Sequence, residues 1–113
     1  KRSLIPFLFD GRLADFNIGS NSGKSCAEVI ETAARSTCEA ARQYGTVVNG
    51  RFKGGWTTRH YGAPESGVHA IQMELAQCNY MQEKPPWHYD RRKADELRVI
   101  LANILQKLLR SFD

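Results

Sequence analysis

A single carboxylate stands near the end of an otherwise largely apolar run, Val68-His69-Ala70-Ile71-Gln72-Met73-Glu74-Leu75. In a strand, residues two apart share a face. Val68, Ala70, Gln72 and Glu74 then look one way, and His69, Ile71, Met73 and Leu75 the other. An acid on such a strand costs desolvation unless it is paired or used. Glu74 is accordingly either used at a ligand site or the partner of Arg51 or Arg59 in a structural ion pair. Its expected place is the C-terminal end of the strand, where open α/β sheets put their ligands. Upstream, Arg51-Phe52-Lys53-Gly54-Gly55-Trp56-Thr57-Thr58-Arg59-His60 carries a glycine pair among cations. Gly54-Gly55 lets backbone approach a ligand closely or take positive φ. The planar forks of Arg51 and Arg59 grip a carboxylate through two parallel hydrogen bonds, and Lys53 adds a point charge. Each cation is otherwise an ordinary ion-pair partner. His60 lies among them and is a candidate site residue. His69 alternates to the face opposite Glu74, so the two do not share a metal in a regular strand, and it reads as structural. His88 follows Pro85-Pro86-Trp87 and reads as a turn or surface residue. No HxxE or HExxH spacing occurs, and no GxxxxGK[ST], so no metal-ligand set is predicted within these residues.

The elements that must position these groups follow from periodicity. Residues 1–23 read as irregular, with turn signals at Asp10-Gly11 and Asn21-Ser22-Gly23 and room for one short strand within Arg12–Ile18. Ala27, Ile30, Ala33, Ala34, Cys38 and Ala41 recur at helical spacing, which predicts a helix from about Ser25 to Tyr44. Ser25 is placed to cap it, with Glu28 in the capping-box position, and Gly45 to end it. Thr46-Val47-Val48 reads as a short buried strand ended by Asn49-Gly50. A glycine-bearing loop over Arg51–Gly67, a strand over Val68–Leu75 and a proline-containing connection over Cys78–Tyr89 follow. A final helix is predicted from near Asp90 to about Phe112, with Leu97, Ile100, Leu101, Ile104, Leu105, Leu108 and Leu109 as one apolar stripe. Helix alternating with strand gives an α/β fold, a mixed sheet flanked by helices. So few short strands leave exposed edges, which points to part of a larger sheet.

The chain has 113 residues, 42% hydrophobic and 25% charged, with 16 basic and 12 acidic side chains. That is room for one domain or a piece of one. No apolar run approaches the roughly 20 residues of a membrane span. No signal peptide is read at Lys1-Arg2-Ser3, and the absent initiator Met reads as a processed or fragmentary end. Cys26, Cys38 and Cys78 are odd in number and form no CxxC, which fits reduced thiols in a cytoplasmic protein. No carboxylate occurs between Glu39 and Glu65, a stretch holding Arg42, Arg51, Lys53 and Arg59. The remaining charges balance, so the net +4 is local and marks either an anion site or a solvated basic loop.

The string Asn49-Gly50-Arg51-Phe52-Lys53-Gly54-Gly55-Trp56-Thr57-Thr58-Arg59-His60-Tyr61-Gly62, followed by Gly67–Leu75, resembles the N-formylglutamate amidohydrolase (N-formylglutamate deformylase) family. Ser3-Leu4-Ile5-Pro6, Asp15-Phe16-Asn17-Ile18-Gly19 and the Pro85-Pro86-Trp87 region match it too. The resemblance covers essentially all of residues 1–113, as the C-terminal portion of a single amidohydrolase domain. It implies a carboxypeptidase-like zinc hydrolase that converts N-formyl-L-glutamate and water into L-glutamate and formate in histidine degradation. It implies zinc ligands upstream of this chain, the last a His just before Arg2, so that the isolated chain is expected to be inactive. It places the proton-shuttling role on Glu74. The implied substrate, a small acyl-amino acid with two carboxylates, gives the carboxylate-free stretch a purpose. Arg59, with Arg51 or Lys53 as alternatives, is then expected to hold a substrate carboxylate beside Gly54, Gly55 and His60. The expected partners are that anionic substrate and the N-terminal half of the enzyme or another chain. Two other functions compete: a non-catalytic module that folds or associates through its exposed sheet, and a nucleic-acid binder using Arg51, Lys53 and Arg59 with Phe52, Trp56 and Tyr61. The second is disfavoured because the stretch is short and the remaining charge is balanced. No membrane contact is expected.

Overall fold

The centre of the molecule is β1 (Phe16–Gly19), all of whose residues are buried. In this computed structural model, which describes residues 1–4 and 10–112, it is the middle strand of a three-stranded sheet. Ile5 and Pro6 of the amino-terminal motif lie outside the described residues. β1 runs parallel to β2 (Thr46–Val48), with Phe16 opposite Thr46. It runs antiparallel to β3 (Gln72–Leu75), with Phe16 opposite Leu75, Asn17 opposite Glu74 and Gly19 opposite Gln72. The order is β2-β1-β3. Two helices, α1 (Glu28–Ala40) and α3 (Arg91–Arg110), cover one face. There Phe16 and Ile18 meet Ala34 and Cys38 of α1 and Leu97, Ile100 and Ile104 of α3, with Val48, Met73 and Leu75 at the margin. Small residues on α1 let α3 and the sheet approach it together. Cys26, Cys38 and Cys78 are free thiols. Burial pushes Cys38 up to about 11, which keeps it neutral and inert.

The α/β reading and β2 stand as expected; several boundaries do not. The first helix starts at Glu28, not Ser25, with Ala27 as its cap and no side-chain capping bond. Ser25 is engaged elsewhere. Its hydroxyl donates to the Ala70 carbonyl at 2.7 Å, and its own carbonyl accepts from Ala70 N–H at 2.8 Å. The Ala27 N–H, one of the donors a helix start leaves open, goes instead to His69 Nδ1 at 3.1 Å. His69 thus helps close the start of α1. The helix ends at Ala40, short of Tyr44; a turn closed by Tyr44 N–H to the Ala41 carbonyl brings the Tyr44 ring to 5.2 Å from Phe16. The strand expected over Val68–Leu75 is only Gln72–Leu75, because Val68 pairs with Ala63 and Ala70 with Ser25 before the chain reaches β1. Within the presumed loop Arg51–Gly67 lies a short helix, α2 (Trp56–Tyr61).

The last helix starts at Arg91, where the Asp90 side chain accepts from Lys93 N–H. Its apolar stripe is not buried as a whole. Leu97, Ile100 and Ile104 are buried, whereas Leu105 is 62% and Leu109 71% exposed. Leu105 lies between the buried Ile104 and Leu108, which packs against the core, so it sits on the outer edge of the stripe. An open apolar groove of about 280 Å³ remains there, between Ala34, Ile71, Met73, Leu101, Leu105 and Leu108. No helix of the described residues is long and apolar enough to cross a membrane.

This division of the stripe is measurable by chemical denaturation. Ile104→Ala is expected to cost about 2–5 kcal/mol, because it empties a packed site. Leu105→Ala is expected to cost under about 1 kcal/mol, as for exposed positions. Equal losses at both would place Leu105 in a closed core.

Candidate active site

β3 is antiparallel, so its C-terminal end lies where β1 and β2 begin. The parallel-sheet rule for ligand position therefore does not place Glu74. What places it is register. Glu74 faces Asn17 across the β1–β3 ladder, two residues in from the end where Gln72 faces Gly19. That end of the sheet is also where β1 and β2 release their loops.

The two loops lock together there. Asn49, at φ 51°, accepts through Oδ1 from Ser20 N–H at 2.9 Å and donates through Nδ2 to Ser20 Oγ at 2.8 Å. Asparagine tolerates that left-handed backbone better than most residues. Ser20 is fully buried, and its hydroxyl also donates to Glu31 of α1. The glycine loop then lies flat on the end of β1. A Cβ on Gly19 would sit 2.7 Å from Gly54 N and from the Lys53 carbonyl carbon. Gly54 itself has φ 124°, which side chains rarely allow. Lys53 C=O accepts from Asn21 N–H at 2.6 Å and completes the fixation.

From this loop a continuous set of contacts leads to Glu74. The Gly55 N–H donates to Gln72 Oε1 at 2.6 Å, and Gln72 Nε2 donates to Glu74 Oε2 at 3.3 Å. On the other side of the same peptide group, Arg59 Nη1 donates to the Gly54 carbonyl at 2.8 Å. Neither Arg51 nor Arg59 pairs with Glu74, so that structural alternative is not realised. Across the strand end, the backbone nitrogen of Lys1 lies 3.6 Å from Glu74 Oε1. That nitrogen also donates to the Leu75 carbonyl at 2.8 Å, while Gln77 N–H donates to the Lys1 carbonyl at 2.7 Å. Any residue preceding Lys1 in a longer chain therefore enters beside Glu74.

Arg51, Lys53 and Arg59 are exposed, and among the described residues none has a carboxylate within ion-pair distance. Lys53 and Gly54 hold their place by backbone. His60 is stacked on Trp56 with ring centroids 4.3 Å apart, and Tyr61 meets both rings edge-on; all three are exposed. His60 is not brought into contact with Glu74. Sequence reasoning missed Gln72, placed only on the same face as Glu74, and Asn17. Asn17 is 1% exposed and in register with Glu74; its Nδ2 donates to the Ala14 carbonyl at 2.7 Å, while Oδ1 has no partner among the described residues. Its polar identity inside a buried strand was the available signal.

The family model for N-formylglutamate amidohydrolase matches residues 2–81. The chain belongs to the N-formylglutamate amidohydrolase family. It is 51% identical over 108 residues to an N-formylglutamate deformylase of Pseudomonas aeruginosa, covering 96% of this chain and 41% of that relative. It is 49% identical to the N-formylglutamate deformylase of Pseudomonas putida, covering 40% of it. The fold matches the crystal structure of an N-formylglutamate amidohydrolase from Ralstonia eutropha with a TM-score of 0.76 at 20% identity, over 91% of this chain and 36% of that one. The chain thus spans about two-fifths of the length of the curated relatives it matches.

Among the described residues no group of three His, Cys, Asp or Glu side chains could hold a metal. The 113-residue chain, equilibrated with zinc and freed of excess, is expected to retain well under one zinc per molecule. Elemental analysis measures this. Retention of one zinc that is lost on replacing His60 or His69 would overturn it.

Proposed function

We propose that this chain is the C-terminal portion of an amidohydrolase that removes the formyl group from N-formyl-L-glutamate, the product amine being L-glutamate. The observation that carries the reading is one connected constellation. The lone carboxylate of β3, Glu74, is joined through Gln72 to a glycine loop whose cations, Arg51, Lys53 and Arg59, have no carboxylate partner among the described residues. A base hydrogen-bonded through one strand neighbour to an anion-binding loop suits an amide whose substrate carries carboxylates. Family membership supports the same class of reaction.

In this reading Glu74 takes a proton from the attacking water and delivers it to the departing amine as the C–N bond breaks. Arg59 already spends one donor on Gly54 C=O, which aims its fork, and its other donors are left for a substrate carboxylate. Arg51 and Lys53 add positive potential along the same loop. Zinc belongs to the proposal as a group that these residues do not hold; its ligands would come from sequence outside this chain. Cytoplasmic histidine breakdown is the setting the reading implies.

Two substitutions in the full-length enzyme test it. Glu74→Gln keeps shape and hydrogen bonding but removes the base. It is expected to lower kcat for N-formyl-L-glutamate by about 10²–10⁴, with zinc content and melting temperature unchanged. Near-normal kcat would make Glu74 structural; loss of zinc would make it a ligand. Arg59→Lys keeps the charge and loses the planar fork. It is expected to raise KM for N-formyl-L-glutamate more than for a formyl-amino acid without a side-chain carboxylate. An equal rise for both would assign Arg59 to the shared α-carboxylate, and no rise for either would remove it from substrate binding.

A further inference from the structure

The peptide group between Gly54 and Gly55 is held from both ends. Its oxygen accepts from Arg59 Nη1 at 2.8 Å, and its N–H donates to Gln72 Oε1 at 2.6 Å. A side-chain amide often has two orientations that fit equally well. Here a backbone N–H can only donate, so the end of Gln72 facing it must be the oxygen. The NH₂ end is thereby turned toward β3, where it meets Glu74 Oε2 at 3.3 Å. Gln72 and Glu74 are two apart in the strand and share a face. The loop end is equally constrained, since Gly54 rests on Gly19 with no room for a side chain between them. An apolar residue at position 72 would serve a half-buried strand. It would leave the Gly55 N–H without this acceptor and Glu74 without this donor.

We propose that Gln72 is a positioning residue for the deformylation reaction. It holds the Glu74 carboxylate and the Gly54–Gly55 peptide, and through that peptide the Arg59 fork, at one fixed separation. A substrate bound by its carboxylate at Arg59 then presents its formyl amide at the distance where Glu74 can serve it. The role is specific to formylated amino acids whose carboxylate lies a set number of bonds from the amide. It rests on the assignment of Glu74 and Arg59 made above.

Two variants separate the halves of the role. Gln72→Leu loses both bonds. Gln72→Glu keeps an acceptor for the Gly55 N–H but cannot, when ionised, donate to Glu74. The full-length enzyme is assayed with N-formyl-L-glutamate, and in the same samples amide exchange at Gly55 and the ¹³C carboxyl signal of Glu74 are read by NMR. Misplacing a reacting group by about 1 Å can cost on the order of 10²-fold. Gln72→Leu is accordingly expected to lower kcat about 10–100-fold, to speed Gly55 exchange and to shift the Glu74 signal. Gln72→Glu is expected to lower kcat similarly with Gly55 exchange as slow as in the parent. Either variant retaining parental kcat, or Gln72→Leu leaving Gly55 exchange and the Glu74 signal unchanged, overturns the proposal. If the parent itself does not hydrolyse N-formyl-L-glutamate, the functional reading above falls. The NMR arm still decides whether Gln72 positions Glu74: unchanged signals in Gln72→Leu refute it, and the expected shifts support it.

Discussion

Where β1 ends, its last residue has no side chain, and the backbone of the glycine loop occupies the space. A methyl group at Gly19 would lie 2.7 Å from Gly54 N, inside any permissible contact. Everything chemically suggestive about the molecule hangs on that approach. It brings the Gly55 N–H within reach of Gln72, sets Gln72 against Glu74, and gives Arg59 a carbonyl to lean on. Backbone is incompressible compared with a flexible side chain, so the contact acts as a stop. The Ser20–Asn49 hydrogen bonds close the same corner from the other side and tie it to α1 through Glu31.

The sheet divides the molecule into a side that is built and a side that is prepared. Phe16 and Ile18 are buried under α1 and α3, which supply the apolar area that small domains depend on. Asn17 and Glu74 face away from that core, one with an unanswered acceptor among the described residues and the other half-buried beside the entry of the chain. Buried polar atoms without partners are costly and rare. The cations of the loop are likewise without carboxylate partners among the described residues. The relatives are more than twice as long as this chain. The polar face, the outer edge of α3 at Leu105 and Leu109, and the apolar groove stay open in this chain.

Much of the architecture was legible from residue order. The α/β class, β2 at Thr46–Val48 and the cap of α3 at Asp90 follow from periodicity, capping chemistry and strand alternation, all of which act within a few residues. The alternation that put Gln72 and Glu74 on one face, and the absence of carboxylates between Glu39 and Glu65, are equally local and equally readable.

What residue order alone left open was decided by contacts between distant segments. Ser25 looks like a cap and is instead a hydrogen-bond partner of Ala70, while the helix start is closed by His69. Leu105 belongs to the apolar stripe of α3 but is 62% exposed beside the buried Ile104, since the period of a helix says nothing about how wide a face its neighbours cover. β3 runs antiparallel and begins only at Gln72, because Ala63 and Ser25 claim the residues before it. The partner of Glu74 could not be chosen from spacing: Arg51 and Arg59 were both plausible, and the fold supplied Gln72. Local pattern determines which face a side chain takes; only the packing of the whole chain determines what stands opposite.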